Sequence, residues 1–393
     1  MRLLTACAVS AAIVLASPFM GQLQSLLRSS VSTRAYVLLL GTVVIGSIAA
    51  ASVGAFVLTG GHRRRRIALM AAALGVGLAY TSVMSTGDPT IDAVERVHFL
   101  EYGLIAVLFY RVWRSAGDLS TVILPLLCGF IVGTLDEWLQ WFIPYRVGEM
   151  HDVFLNLSAL ACGVLFGIAL EPPPAWSWRV TQRAPGRLGI AGAMAVMVFA
   201  GFVNSVHLGY VHDVDGIGRF QSQHTLDALN TLQTDRSVLW RTDPPIGIRR
   251  LSREDQYLDE ALWHVRERNR CWDAGDVNAA WHENLILERF FVPVLDSRTY
   301  ASPNGTRWPP EHRADAQSRL PPTSTPYVSD AAPRTIYTWR KAVYWSCAAA
   351  AAGVLLAVSW LGNALRIREP GAGSRVPGAG SRDPDPATGV RRR

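Results

Sequence analysis

The chain has 393 residues, half of them apolar, and a net charge of +7. Its arginines gather in connecting stretches and in the tail instead of along one face, so the charge does not point to nucleic acid. Of the five cysteines, Cys7, Cys128, Cys162, Cys271 and Cys347, only Cys271 falls in a water-soluble stretch, which excludes a disulfide-stapled scaffold.

The apolar residues come in blocks: 3–21, 35–60, 67–85, 97–113, 119–142, 150–170, 187–209 and 341–363. Each is roughly 17 to 26 residues long, the length an α-helix needs to cross a hydrocarbon layer. Such runs must be helical, because no water is present there to satisfy backbone amides. The expected fold is therefore an all-α, polytopic helical membrane protein with about eight transmembrane helices. Residues 1–21 also resemble a signal peptide ending near Ala16-Ser17-Pro18.

Arg63-Arg64-Arg65-Arg66 between the second and third blocks marks a cytoplasmic loop by the positive-inside rule. Alternation then puts Arg111, Arg114, Arg179, Arg183, Arg187, the tail and both termini in the cytoplasm, and the acidic loop with Asp88, Asp92 and Glu95 outside. Arg28, Arg34, Arg340 and Lys341 run against the rule. The chain divides into a first span with its outer loop (1–34), a membrane domain (35–170), a cytoplasmic connector with the seventh span (171–209), an exoplasmic segment (210–338), a last span (339–363) and a disordered cytoplasmic tail (364–393).

The exoplasmic segment reads as mainly helical. Leu258, Leu262, Val265 and Trp272 form one stripe and Val277, Trp281 and Leu285 begin another, with Ala274-Gly275-Asp276 as the turn of a helical hairpin faintly like one tetratricopeptide unit. Residues 301–335 are rich in Pro, Ser and Thr and read as an irregular tether; the tail repeats Pro-Gly-Ala-Gly-Ser-Arg at 370–375 and 377–382.

Three spans carry residues that hydropathy disfavours, and such residues are functional candidates. His98, Glu101 and Tyr102 share one face of the fourth helix, Asp136, Glu137 and Gln140 one face of the fifth, and Asp152 and Asn156 one face of the sixth. Arg146 lies in the short turn between the fifth and sixth spans, and His151 is expected to face solvent. All fall near the outer ends of their helices. Packed together, the three helices would form one polar pocket.

These residues carry a resemblance. Glu95-Arg96-Val97-His98-Phe99-Leu100-Glu101-Tyr102, then Asp136-Glu137-Trp138-Leu139-Gln140, Pro144-Tyr145-Arg146, Asp152, Asn156, Gly163 and Gly167 resemble the VanZ-like family over about residues 35–170. The resemblance implies a multi-span bacterial cytoplasmic-membrane protein, and the family's namesake is associated with resistance to the glycopeptide teicoplanin. No accepted reaction comes with it. It also implies that His98, Glu101, Tyr102, Asp136, Glu137, Gln140, Pro144, Arg146, Asp152 and Asn156 belong to the family's polar motif. Ala159 departs from the glycine usual at that position.

Three readings of the polar residues stand side by side. In one, Arg146, His98 and the acids only satisfy one another. In another, His98 and the carboxylates ligate a metal, left unknown together with any cofactor. In the third, the pocket binds the head group of a membrane lipid or lipid-linked envelope component: Asp136 or Glu137 as base, His98 as its acid or base partner, Arg146 as anion clamp, Gln140 and Asn156 as orienting groups, and Glu101, Tyr102 and Asp152 as further binding residues. Whether the protein is an enzyme stays open. The alternative is a non-enzymatic anchor presenting the exoplasmic segment to a protein or cell-wall partner. A transporter is disfavoured because the ionisable residues gather at one surface. No phosphate-cradling loop, serine elbow or zinc-spaced cysteine set is present.

Overall fold

The computed structural model describes residues 1–58, 63–85, 87–143, 148–180, 184–239, 253–297, 305–320, 326–331 and 335–367. Eight long helices make the membrane part: α1 (Arg2–Ser30), α2 (Thr33–Leu58), α3 (Arg63–Val83), α4 (Pro89–Trp113), α5 (Ser120–Trp141), α6 (Met150–Leu170), α7 (Ala184–Val206) and, at the far end of the chain, α13 (Lys341–Ile367). Seven of them are long and apolar enough to span a membrane. The exception, α4, carries Asp92, Glu95, Arg96 and Glu101, and it lies among its neighbours: α1, α2, α5 and α6 pack around it. Charged groups within a bilayer are tolerated where they face protein instead of lipid.

A close crossing joins α4 to α6. A Cβ built on Gly163 would stand 2.5 Å from the carbonyl oxygen of Gly103 and 2.7 Å from Cβ of Ala106, so only glycine allows this approach. Small residues at such a crossing let backbones meet, and dispersion then replaces the hydrophobic drive that lipid does not supply. Tyr102, Ile105, Ala106, Ala159 and Leu160 fill the seam, each fully buried. Ala159 is accommodated there without exposure.

On the other flank α7 packs against α5 and α13. Ser359 Oγ donates to the carbonyl of Pro185 at 2.7 Å, and the Tyr344 hydroxyl to that of Ala200 at 3.1 Å. At the opposite end of α4, Glu171 closes the connector by accepting from Arg111 at 2.6 Å and Arg114 at 3.1 Å.

The segment between α7 and α13 has its own core. It opens with an antiparallel hairpin, β1 (Tyr210–Val214) and β2 (Gly218–Ser222), pairing Tyr210 with Ser222 and Val214 with Gly218. Then follow α8 (Leu226–Leu239), α9 (Arg253–Asp273), α10 (Val277–Phe290), the short α11 (Val292–Asp296) and α12 (Pro310–Ser318). The sequence reading foresaw neither the hairpin nor α12, which lies within the stretch 301–335 expected to be an irregular tether. The α9–α10 turn follows that reading closely: Gly275 adopts φ +80°, and Asp276 caps α10 by accepting from the Ala279 amide at 3.0 Å. Phe220, Leu229, Tyr257, Leu258, Ile286, Leu287 and Phe291 form the core, with Trp308 and Ala316 of the Pro-rich stretch packed on a second cluster with Ala280 and Cys271. The core stripe of α10 thus runs through Ala280, Ile286 and Leu287, while Trp281 and Leu285 are only partly buried. The repeated tail lies outside the described residues.

The two chain crossings at the base of this segment are joined. The amide of Gly209 donates to the Tyr337 carbonyl at 3.2 Å and that of Tyr337 to the His207 carbonyl at 2.7 Å. His207 Nδ1 donates to the Thr335 carbonyl at 2.9 Å.

Candidate functional site

Four helices deliver polar side chains to one level. Asp136 on α5 accepts at Oδ1 from Ser17 of α1 at 2.6 Å, and at Oδ2 from the Tyr102 hydroxyl of α4 at 2.8 Å and Gln140 Nε2 at 3.0 Å. The same Gln140 nitrogen reaches Oε1 of Glu137 at 3.4 Å, so one amide joins the two adjacent carboxylates. Asn156 Nδ2 of α6 donates to that Oε1 at 3.2 Å. The three-to-four-residue spacing that places Asp136, Glu137 and Gln140 on one face is what aims them together.

The network fixes the orientation of its outermost member. Asn156 presents its amide nitrogen to Glu137, which leaves its carbonyl oxygen toward His98 Nδ1 at 3.2 Å. A carbonyl can only accept, so the imidazole carries hydrogen on Nδ1. His98 also stacks on Tyr102, the rings parallel within 1° and 6.0 Å apart. The result is a directed row, His98 to Asn156 to Glu137.

Burial grades along the row. Glu137 and Asn156 are wholly buried and Asp136 and Gln140 are 3% exposed, whereas His98 is half-buried. A group that exchanges a proton with a ligand must come within hydrogen-bond reach of it. His98 is the member of the row best placed for that, with the two carboxylates behind it.

The other residues singled out by the sequence are placed less centrally. Glu101 is half-buried on α4. Asp152 lies beside His151, with Oδ1 at 3.5 Å from its Nδ1, and the His151 ring is 6.5 Å from that of Tyr80 on α3. His151, expected to face solvent, is half-buried, its side chain 29% exposed. Pro144 and Arg146 fall outside the described residues. Among the described residues, no group of three or more His, Cys, Asp or Glu side chains is placed to hold a metal ion.

Ser17 was not foreseen as a member. It stands in an apolar run just before Pro18, where the sequence suggested a cleavage motif; the helix is continuous through that proline and turns the hydroxyl inward. A lone serine in such a run carries little signal of its own.

A bundle of long apolar helices closed around a buried, hydrogen-bonded pair of carboxylates defines a polytopic α-helical membrane protein with a built polar centre. Residues 4–171 match the family model described as VanZ/LLP1, and this part of the chain is a VanZ-like membrane domain. The match begins well ahead of residue 35 and takes in α1, the helix that supplies Ser17. A protein of Schizosaccharomyces pombe described as "Uncharacterized protein C11E3.10" is 30% identical over 71 residues, covering 18% of this chain and 44% of that protein. The chain therefore spans less than half the length of this relative. No solved structure matches the chain.

Proposed function

We propose that this is a bacterial cell-envelope protein that crosses the cytoplasmic membrane several times, with both termini in the cytoplasm and residues 210–338 outside. In this reading the VanZ-like bundle binds, at its outer end, the head group of a lipid or lipid-linked cell-wall component. A role in resistance to teicoplanin-type glycopeptides follows from the family's namesake.

The observation that supports it is the His98–Asn156–Glu137 row. Four helices commit six polar side chains to orient one half-buried imidazole, an arrangement costly to maintain in a membrane unless the imidazole is used. His98 is the group that meets the ligand and exchanges a proton with it. Glu137 and Asp136 act as base and charge reserve behind it, Gln140, Asn156 and Tyr102 hold the geometry, Glu101 and Asp152 border the approach, and Arg146 in the adjoining turn clamps an anion.

The test is mass spectrometry of lipids and metals retained by the detergent-purified full chain. Wild-type protein should retain a defined envelope lipid that His98→Ala and Arg146→Ala lose while remaining monodisperse. An unchanged lipid complement in both variants refutes the reading.

A second reading is favoured by the backbone pairing at residues 207–209 and 335–337, which mounts the separately cored outer segment on α7 and α13. Here the bundle is an anchor presenting that segment to a partner. Replacing residues 212–336 by a short linker separates the two: this reading requires complete loss of function, the first requires that it persist.

A further inference from the structure

Where α1 ends and α2 and α4 begin, a second polar feature stands apart from the motif. Arg28, Thr33, Tyr36, Asp88 and Thr90 line a cavity of about 370 Å³, within the size range of small-ligand sites. Tyr36 is wholly buried although the rest of α2 is largely exposed, and its hydroxyl has no hydrogen-bond partner among the described residues. A buried hydroxyl without a partner is unfavourable, and it is a donor ready for a ligand oxygen. The Arg28 guanidinium lies over the Tyr36 ring, 5.7 Å from its centre, and donates to the Thr90 hydroxyl. Thr90 in turn donates to Asp88 at 2.6 Å.

Arg28 is also the residue that the orientation rule leaves unexplained. In the orientation proposed above it stands on the outer side, where arginine is disfavoured, in the last turn of α1 beside a short loop where the bias counts most. A residue kept against that bias and fixed over a cavity serves something other than topology.

We infer that this cavity binds a zwitterionic phosphoester of the ethanolamine type. The phosphate takes the Arg28 guanidinium and the Tyr36 hydroxyl, and the ammonium turns toward Asp88. A planar guanidinium beside a hydroxyl donor is suited to phosphate oxygens. Asp88 on the same wall opposes a purely anionic group and favours one that carries a positive end. The site is separate from the polar motif: Thr90 and His98 are eight residues apart on α4, about 12 Å along a helix rising 1.5 Å per residue.

The experiment is native mass spectrometry of the delipidated full chain in detergent, titrated separately with phosphatidylethanolamine, phosphatidylglycerol, diacylglycerol and free phosphoethanolamine. Phosphatidylethanolamine should bind best and diacylglycerol only at background. Arg28→Ala, at an exposed position, should weaken binding roughly ten- to a hundredfold, and Tyr36→Phe, which keeps the ring, about three- to tenfold. Asp88→Asn should abolish the preference over phosphatidylglycerol. Binding of free phosphoethanolamine alone, with the same dependence on Arg28 and Tyr36, upholds the chemistry and assigns a soluble source. Undiminished binding by Arg28→Ala, or diacylglycerol binding as well as the phosphoesters, overturns the site; phosphatidylglycerol binding as tightly as phosphatidylethanolamine overturns the zwitterionic assignment. Because the readout is the difference between Arg28→Ala and wild type, it stands whether or not the motif holds a head group of its own.

Discussion

The Tyr102 hydroxyl on α4 donates to Oδ2 of Asp136 on α5 at 2.8 Å, joining helices whose residues are 34 positions apart. Asp136 is the hub here, since Ser17 and Gln140 donate to the same carboxylate. Tyr102→Phe removes one of three donors and should cost about 1 kcal/mol, as for single hydrogen bonds in membranes and interiors. Asp136→Ala strands all three donors at once and should cost about 2–4 kcal/mol. Thermal unfolding in detergent measures both; equal losses would show that Asp136 is not the hub.

Gly163 is the contact point of α4 and α6. Gly163→Val drives a branched side chain into the Gly103 carbonyl and should destabilise the bundle by about 1–3 kcal/mol or more, the range for overpacked cores. The expected result is a lower unfolding temperature and aggregation on size exclusion. Gly353→Val, at a position with open space around it, is the control and should behave as wild type.

The segment between α7 and α13 should lose stability as pH rises above neutral. His264 is wholly buried, with Nδ1 at 2.6 Å from Oε2 of Glu283. Burial alone would lower its pKa, but the charge and hydrogen bond of Glu283, with Glu260 and Glu267 nearby, more than reverse this, so the net shift is upward from 6.5. A histidine whose folded pKa is raised contributes stability that is complete below its unfolded value and is lost as pH climbs through the folded one. Glu283 also accepts from Tyr327 at 2.5 Å and from Ser329, so weakening the pair loosens the stretch around Tyr327 and Ser329. Limited proteolysis of the full chain between about pH 6 and pH 9 should therefore accelerate at the alkaline end. His264→Gln should be cleaved faster throughout and show no such rise; a wild-type rate flat across this range contradicts the prediction.

The orientation is tested by labelling. In a background without native cysteines, Ser85→Cys, exposed between α3 and α4, should react with an impermeant maleimide on intact cells. Ser115→Cys, exposed in the turn between α4 and α5, should react only after permeabilisation. The reverse pattern would invert the proposed topology.

Much of the membrane part was legible because the bilayer imposes a length and a composition on every span. The fourth helix was legible for a different reason: its charged face and apolar remainder are separated by helical spacing, so His98 and Tyr102 were aimed together before any packing was known. What the sequence withheld was contact. Nothing local says that Ser17 meets Asp136, 119 residues away, or that the His151 ring comes within 6.5 Å of Tyr80. In the outer segment, glycine and aspartate announced the α9–α10 turn through their own conformational needs. The hairpin of β1 and β2 was hidden because its pairing partners include a distant stretch, Tyr327 and Ser329, which hydrogen-bonds to Arg219.

The pairing of residues 207–209 with 335–337 gives the outer segment a single footing. Entry and departure of the polypeptide lie side by side, so the whole intervening stretch is topologically a bubble on what would otherwise be a simple α7–α13 turn. Such a bubble can be gained, lost or exchanged without shifting either helix, and a load applied to it is shared by both spans at one point.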